Sequence, residues 1–270
     1  MKNLNELIER ARALSGKKIA LAGAHEPDSL AAVERARSEG IADSILIGDK
    51  GEIEAAAEKT GVDLSNFEII HEPNPKAVAK TAVAQVREGD ADALMKGLVS
   101  TADFMRAILG KDNGLLAADL LSHIALFEAP GYSKLVCVTD AAINIAPTLQ
   151  QKVTIIENAV SIYHNLGVEN PKVACVCAVE KVNPGKMPCT EEAAVLAGLN
   201  RTGVIRGCMV DGPFGLDNAV SPEAAELKKI GGEVAGDADI LLCPDIEAAN
   251  ILYKSLAYLA GCNCGAIVIG

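Results

Sequence analysis

The sequence predicts an α/β protein of two lobes, each built on a mostly parallel sheet flanked by helices. Three observations carry that prediction. Short β-branched runs alternate with helical stretches along all 270 residues, the pattern of repeated strand–helix–strand units. Half the residues are apolar but only 3% are aromatic and Trp is absent, so Ala, Val, Ile and Leu fill the core, as they do where helices stack on a parallel sheet. A turn cluster, Gly110-Lys-Asp-Asn-Gly114, interrupts the alternation where a first domain would end.

The elements follow in order. Residues 3–14 have helical periodicity and mixed charge, unlike a signal peptide. The runs 18–23, 44–48, 67–71 and 92–95 read as strands, separated by helices over 28–39, 51–60 and 75–88. A further helix covers 100–109. Beyond the turn cluster, strands near 134–139, 172–179, 206–210, 239–243 and 265–269 alternate with helices over 148–166, 190–200, 221–229 and 246–260. The boundary is placed near 115–120. Residues 1–118, joined by a returning last strand over 262–270, form the expected first domain, and 119–261 the second, with a cleft between them. The chain stops at Gly270, just after a strand that nothing would cover, so a further C-terminal segment is expected.

Composition excludes several functions. The net charge of −11, with both signs mixed along the chain, disfavours nucleic acid and membrane surfaces, and the scarcity of aromatics disfavours base stacking. No apolar run reaches the roughly 18 residues of a membrane span. An anionic ligand would need a local positive site. The eight cysteines, at 137, 175, 177, 189, 208, 243, 262 and 264, lie mostly in apolar runs. No C-x-x-C pair exists and the two C-x-C pairs lack a nearby His. Free thiols in a reducing cytoplasm, with no metal, are therefore expected. There is no G-x-x-x-x-G-K-[ST] loop, G-x-G-x-x-G turn, G-x-S-x-G elbow or H-E-x-x-H helix.

The segment from Asp92 to Arg106 concentrates the chemistry. An apolar strand runs into Lys96-Gly97, and Ser100-Thr101 open a helix that carries Arg106. A helix start leaves about four amides unpaired and holds roughly half a positive charge, so hydroxyls and cations there suit a phosphate. The same spacing is a helix cap, Ser100 with Asp103 three residues on, and the two readings coexist if Arg106 neutralises Asp103. Ser122-His123 follow an apolar stretch. The histidine reads as an acid or base, as a neutral hydrogen-bond donor to an oxyanion, or as a half-buried structural residue. Asp140 and Asn144 follow a strand, where ligands bind in parallel sheets but where turns also favour these residues. Asp211 and Asp217 flank a Gly-Pro-rich loop that suits close approach to a ligand, a metal pair or a helix start. Asn250 and Lys254 share one helical face, which is equally a solvated one.

Together these stretches resemble the phosphate acetyl/butyryl transferase family, its butyryl branch more closely than its acetyl branch. The residues that carry the resemblance are Leu94-Met-Lys-Gly-Leu-Val-Ser-Thr101, Leu121-Ser-His-Ile-Ala125, Thr139-Asp-Ala-Ala-Ile-Asn-Ile-Ala-Pro147, Val210-Asp-Gly-Pro-Phe-Gly-Leu-Asp-Asn-Ala219 and Pro244-Asp-Ile-Glu-Ala-Ala-Asn-Ile-Leu-Tyr-Lys254. The resemblance implies a two-lobed fold similar to isocitrate and isopropylmalate dehydrogenases. It also implies reversible transfer of an acyl group such as butanoyl between CoA and phosphate in a cytoplasmic homo-oligomer, with CoA as substrate, acyl phosphate as product and no permanently bound cofactor. His123 and Arg106 are the expected catalytic residues. Lys96, Gly97, Ser100, Thr101, Ser122, Asp140, Asn144, Asp211, Asn250 and Lys254 are expected to bind substrate. Two departures accompany the match. Family members continue past the position of Gly270 with a strand and a Ser-Arg-acidic element, which the acetyl branch places at the reacting centre, and they often carry Gly where this chain has Ala249. A metal- and NAD-dependent dehydrogenase on the same scaffold, or a non-catalytic binding protein, are the rival readings.

Overall fold

The computed structural model describes residues 1–14 and 16–270. It divides into two compact units, Ile8–Ala117 and Met1–Leu7 with Ala118–Gly270.

In the smaller unit, β1 (Lys18–Ala22), β2 (Asp43–Gly48), β3 (Glu68–His71) and β4 (Ala93–Lys96) form a fully parallel sheet of order β3-β2-β1-β4. Side chains alternate across it as the twofold strand repeat requires. Leu21 and Leu46 pack on one face with Leu30, Val33 and Ile53. Ala20, Ala22, Ile45 and Ile47 pack on the other with Val78 and Ala82. The first group comes from α2 (Pro27–Ser38) and α3 (Lys50–Thr60), the second from α4 (Pro75–Glu88). The helix α1 is Leu4–Ala13 and α5 is Thr101–Ile108. Asp49 caps α3, and Gly61 and Gly89 end α3 and α4 in the left-handed region.

The larger unit holds a six-stranded sheet of order β10-β5-β6-β9-β7-β8, with β5 Ser122–Glu128, β6 Val136–Thr139, β7 Lys172–Val176, β8 Met209–Phe214, β9 Ile240–Leu242 and β10 Asn263–Ile269. Only β5 runs against its neighbours. The helices α6 (Leu149–Asn165) and α7 (Pro188–Arg201) bury Ile155, Ile156, Tyr163 and Leu196 on one face. On the other face lie Ala219 of α8 (Leu216–Val220) and Ala249 of α10 (Ile246–Lys254). A short α9 (Pro222–Leu227) follows α8, and α10 continues as a π-helical turn, Ser255–Leu259.

Three expectations need correction. The segment 122–128 is a strand that the sequence reading leaves unassigned. The last strand does not return to the first domain. It forms a seven-residue antiparallel ladder with β5, from Asn263 opposite Glu128 to Ile269 opposite Ser122, and so belongs to the larger unit. Residues Met1–Leu7 belong there too, with Leu7 packed on its core. Finally, β8 extends to Phe214, which places Asp211 inside a strand opposite Ala174 instead of in a loop beyond it.

Candidate functional site

In the smaller unit the chain leaves β1 for β2 on one side and reaches β4 on the other, so the carboxyl ends of β1 and β4 form the switch point where open α/β sheets bind ligands. Gly97 sits there for a steric reason. Its N–H donates to Ala22 O at 2.8 Å and the Leu98 N–H donates to Gly23 O at 2.9 Å. A Cβ on Gly97 would lie 2.4 Å from Gly23 O, and one on Gly23 (φ 78°) would lie 2.7 Å from Leu98 O. Two loops therefore cross backbone on backbone, which fixes the start of α5 beside the end of β1.

Ser100 caps α5. Its hydroxyl accepts the Asp103 N–H at 3.0 Å and donates to the Asp103 carboxylate at 2.7 Å. Arg106 reaches back one turn to pair with the same carboxylate. The Ser100 hydroxyl, then Arg106, hold the Asp103 carboxyl below its ordinary range. The capping reading thus holds for Ser100, and Arg106 neutralises the acid beside the helix start. What stays open for an anion is the exposed Thr101 hydroxyl, the first amides of α5, and exposed Lys96, whose ammonium lies 3.4 Å from Gly97 O.

Ser100 and Arg106 face different cavities. Ser100 and Asp103 border one of about 680 Å3 with His25, Asp49, Glu52 and Glu72, whose carboxylates make it acidic. Arg106 borders another of about 540 Å3 with Lys80, Arg87 and Lys111, over a floor of Val83, Ala84 and Ala107. The sequence reading missed this cationic groove. Its signal was the spacing of Lys80, Ala84 and Arg87, four and seven residues along one face of α4.

In the larger unit β6 and β9 end side by side, the Cys243 N–H donating to Thr139 O at 3.0 Å. Asp140, 4% exposed, accepts hydrogen bonds from the amides of Ala142 and Ile143 at 3.0 Å and Asn144 at 3.2 Å, and from Asn144 Nδ2 at 2.5 Å. Asn144 Nδ2 also donates to Leu121 O at 2.8 Å, and Asn250 Nδ2 to Ala141 O at 2.9 Å. Asp140, Asn144 and Asn250 therefore shape the loop after β6 and dock it on α10; these contacts are structural. Ser122 is fully buried and its hydroxyl accepts from Asn158 Nδ2 at 3.0 Å. Lys254 is exposed at the last turn of α10.

His123 differs from these. Its ring meets Tyr253 edge-on at 5.6 Å, and its buried Nδ1 has no hydrogen-bond partner among the described residues. Burial lowers its pKa below the ordinary histidine value, partly offset by the charge of Asp140, so the ring is neutral at pH 7. Asp211 accepts the N–H of Gly212 at 2.9 Å, while Asp217 pairs with Lys228 at 2.9 Å. Among the described residues no group of three or more His, Cys, Asp or Glu is placed to hold a metal ion. None of the described helices is long and apolar enough to cross a membrane.

Known proteins resemble the chain throughout. The sequence pattern of the family described as phosphate acetyl/butaryl transferase matches residues 3–85 and 72–270. A phosphate butyryltransferase of Clostridium acetobutylicum is 47% identical over 270 residues, 100% of this chain and 89% of the relative. A phosphate acetyltransferase of Thermotoga maritima is 43% identical over 267 residues, 99% of this chain and 90% of the relative. A solved branched-chain phosphotransacylase from Enterococcus faecalis V583 matches with a TM-score of 0.83 at 32% identity, over 94% of this chain and 88% of that one. The chain belongs to the phosphate acetyl/butaryl transferase family. A 4-hydroxythreonine-4-phosphate dehydrogenase from Klebsiella pneumoniae, with a TM-score of 0.53 at 14% identity, shares the fold alone.

Proposed function

We propose that the chain transfers acyl groups reversibly between coenzyme A and inorganic phosphate, butanoyl-CoA and phosphate giving butanoyl phosphate and coenzyme A. Family membership supports the reaction class, and the β4–α5 turn is the observation that carries the chemistry. In a molecule of net charge −11, it offers a helix start with open amides, the Thr101 hydroxyl and Lys96, and the acid in its first turn, Asp103, is paired to Arg106. That is a place for a mobile phosphate. The groove of Lys80, Arg87, Arg106 and Lys111 suits the phosphates of coenzyme A.

In the forward direction a phosphate oxygen bonds to the thioester carbonyl carbon, the carbon–sulfur bond breaks, and the sulfur leaves with the electron pair. A thiol of pKa about 8–9 needs little acid to leave. The barrier lies in bringing one anion against another, so orientation and fixed positive charge supply most of the acceleration. His123, neutral at pH 7, fits the role of a hydrogen-bond donor to the developing oxyanion. In this reading the enzyme is cytoplasmic and homo-oligomeric, and acyl-CoA, phosphate and acyl phosphate are its partners. The family likeness supports the substrates.

The test is thiol release from a panel of acyl-CoA esters, acetyl to hexanoyl, with and without phosphate. Phosphate-dependent release, fastest with a four- or five-carbon acyl group, is expected. Release from no ester at any phosphate concentration overturns the proposal.

A further inference from the structure

Cys177 directly follows β7, and its N–H donates to Phe214 O at 2.7 Å, so its backbone is fixed. Cys189 lies one residue past Pro188, in the first turn of α7. That turn is pinned by Thr190, whose hydroxyl donates to Met187 O at 2.8 Å and accepts the Asn183 N–H at 2.9 Å. The two thiols border one cavity of about 10 Å3, room for roughly one water, together with Lys152 and Glu192. Lys152 is 4% exposed and its ammonium pairs with Glu192. Cys177 is buried whereas Cys189 is partly exposed.

We propose that Cys177 and Cys189 form a redox-active dithiol, a site for thiol–disulfide exchange with a small-molecule disulfide. Cys189 is the outer, attacking thiol and Cys177 the inner, resolving one. Burial, then the nearby Cys189, pushes the Cys177 thiol up to about 12, while the charge of Lys152 acts in the opposite direction. Cys175 and Cys243 border the same cavity but lie deeper than Cys177, at 3% and 4% exposure against 8%.

The steps balance. The Cys189 thiolate attacks one sulfur of the disulfide and expels one small thiolate, which takes up a proton. Cys177 then loses its proton to solvent and attacks Cys189 Sγ, expelling the second small thiol. Two protein thiols are oxidised to one disulfide, and one small disulfide is reduced to two thiols. The inference rests on the larger unit alone and stands or falls independently of acyl transfer.

The reduced full-length chain, incubated with oxidised glutathione under native conditions and quenched with acid, is expected to lose two of its eight thiols. Non-reducing peptide mapping should then show residues 177 and 189 linked, and dithiothreitol should reverse the link. C177S should retain glutathione at Cys189, and C189S should lose thiols about tenfold more slowly than the parent. A link between any other pair, no thiol loss in the time the unfolded chain is fully oxidised, or C189S reacting as fast as the parent overturns the proposal. The mapping needs no variant to fold.

Discussion

Gly97 shows what a single residue decides here. The conformation does not require glycine through its φ; the neighbour does, because Gly23 O occupies the place of a Cβ. Backbone cannot rotate aside as a side-chain tip can, so Gly97→Ala should destabilise the chain by about 1–3 kcal/mol, read as a lower urea midpoint at unchanged slope. An unchanged midpoint would mean that the two loops separate without cost. His123 gives a prediction in pH. Its folded pKa lies below the unfolded value of about 6.5, so the unfolded chain binds more protons between the two. Its contribution is fully present above about pH 6.5 and is lost as pH falls through the folded pKa. His123→Gln should therefore lose less stability than the parent between pH 7.5 and 5, compared by urea unfolding at each pH. Residue types were legible from the sequence but their partners were not. Ser122, Asp140 and Asn144 carry the chemistry of ligand binding, yet Asn158 and the loop amides already engage them. Spacing alone does not report such satisfaction.

Among the elements, α5 separates structure from chemistry within two adjacent residues. The Ser100 hydroxyl is engaged by the helix it caps, whereas the exposed Thr101 hydroxyl at the same helix start has no such role. Ser100→Ala should cost about 1 kcal/mol of stability, the usual loss of a cap, and change the KM for phosphate less than threefold. Thr101→Val should raise the KM for phosphate about tenfold, equivalent to one lost hydrogen bond to a charged ligand, and leave the urea midpoint unmoved. Arg106→Ala should raise that KM at least as much, because it exposes the ligand to Asp103, again without loss of stability because the pair lies on the surface. Steady-state kinetics beside unfolding curves checks all three, and equal kinetics in Thr101→Val and the parent would remove α5 from the site. The parallel strands of the smaller unit were legible because each precedes a helix and a turn. β5 was not, because it is buried on both faces and its apolar run shows no alternation. Missing β5 also hid the place of β10, whose position is set by a ladder with a partner more than a hundred residues away.

The whole chain joins an acidic surface to two separately cored units, and this division makes its own prediction. Both faces of the smaller sheet are covered by residues drawn from within Ile8–Ala117, as the clusters around Leu21, around Ile45 and around Val83 show. Its outermost ties, such as Lys17 to Asp92 at 2.6 Å, are internal as well. The larger unit is different. It draws Leu7 into its core, and the Leu135 N–H donates to Met1 O at 3.2 Å. Residues 8–117 expressed alone should therefore fold, with helical far-UV dichroism and one cooperative urea transition. Residues 118–270 expressed alone should unfold at lower urea than the same unit in the full chain, since they have lost a packed leucine and a backbone acceptor. If the smaller piece instead gave dichroism without a cooperative transition, its own apolar clusters would be insufficient to fix its packing, and the stability of the β4–α5 turn would have to be sought outside the sheet that carries it.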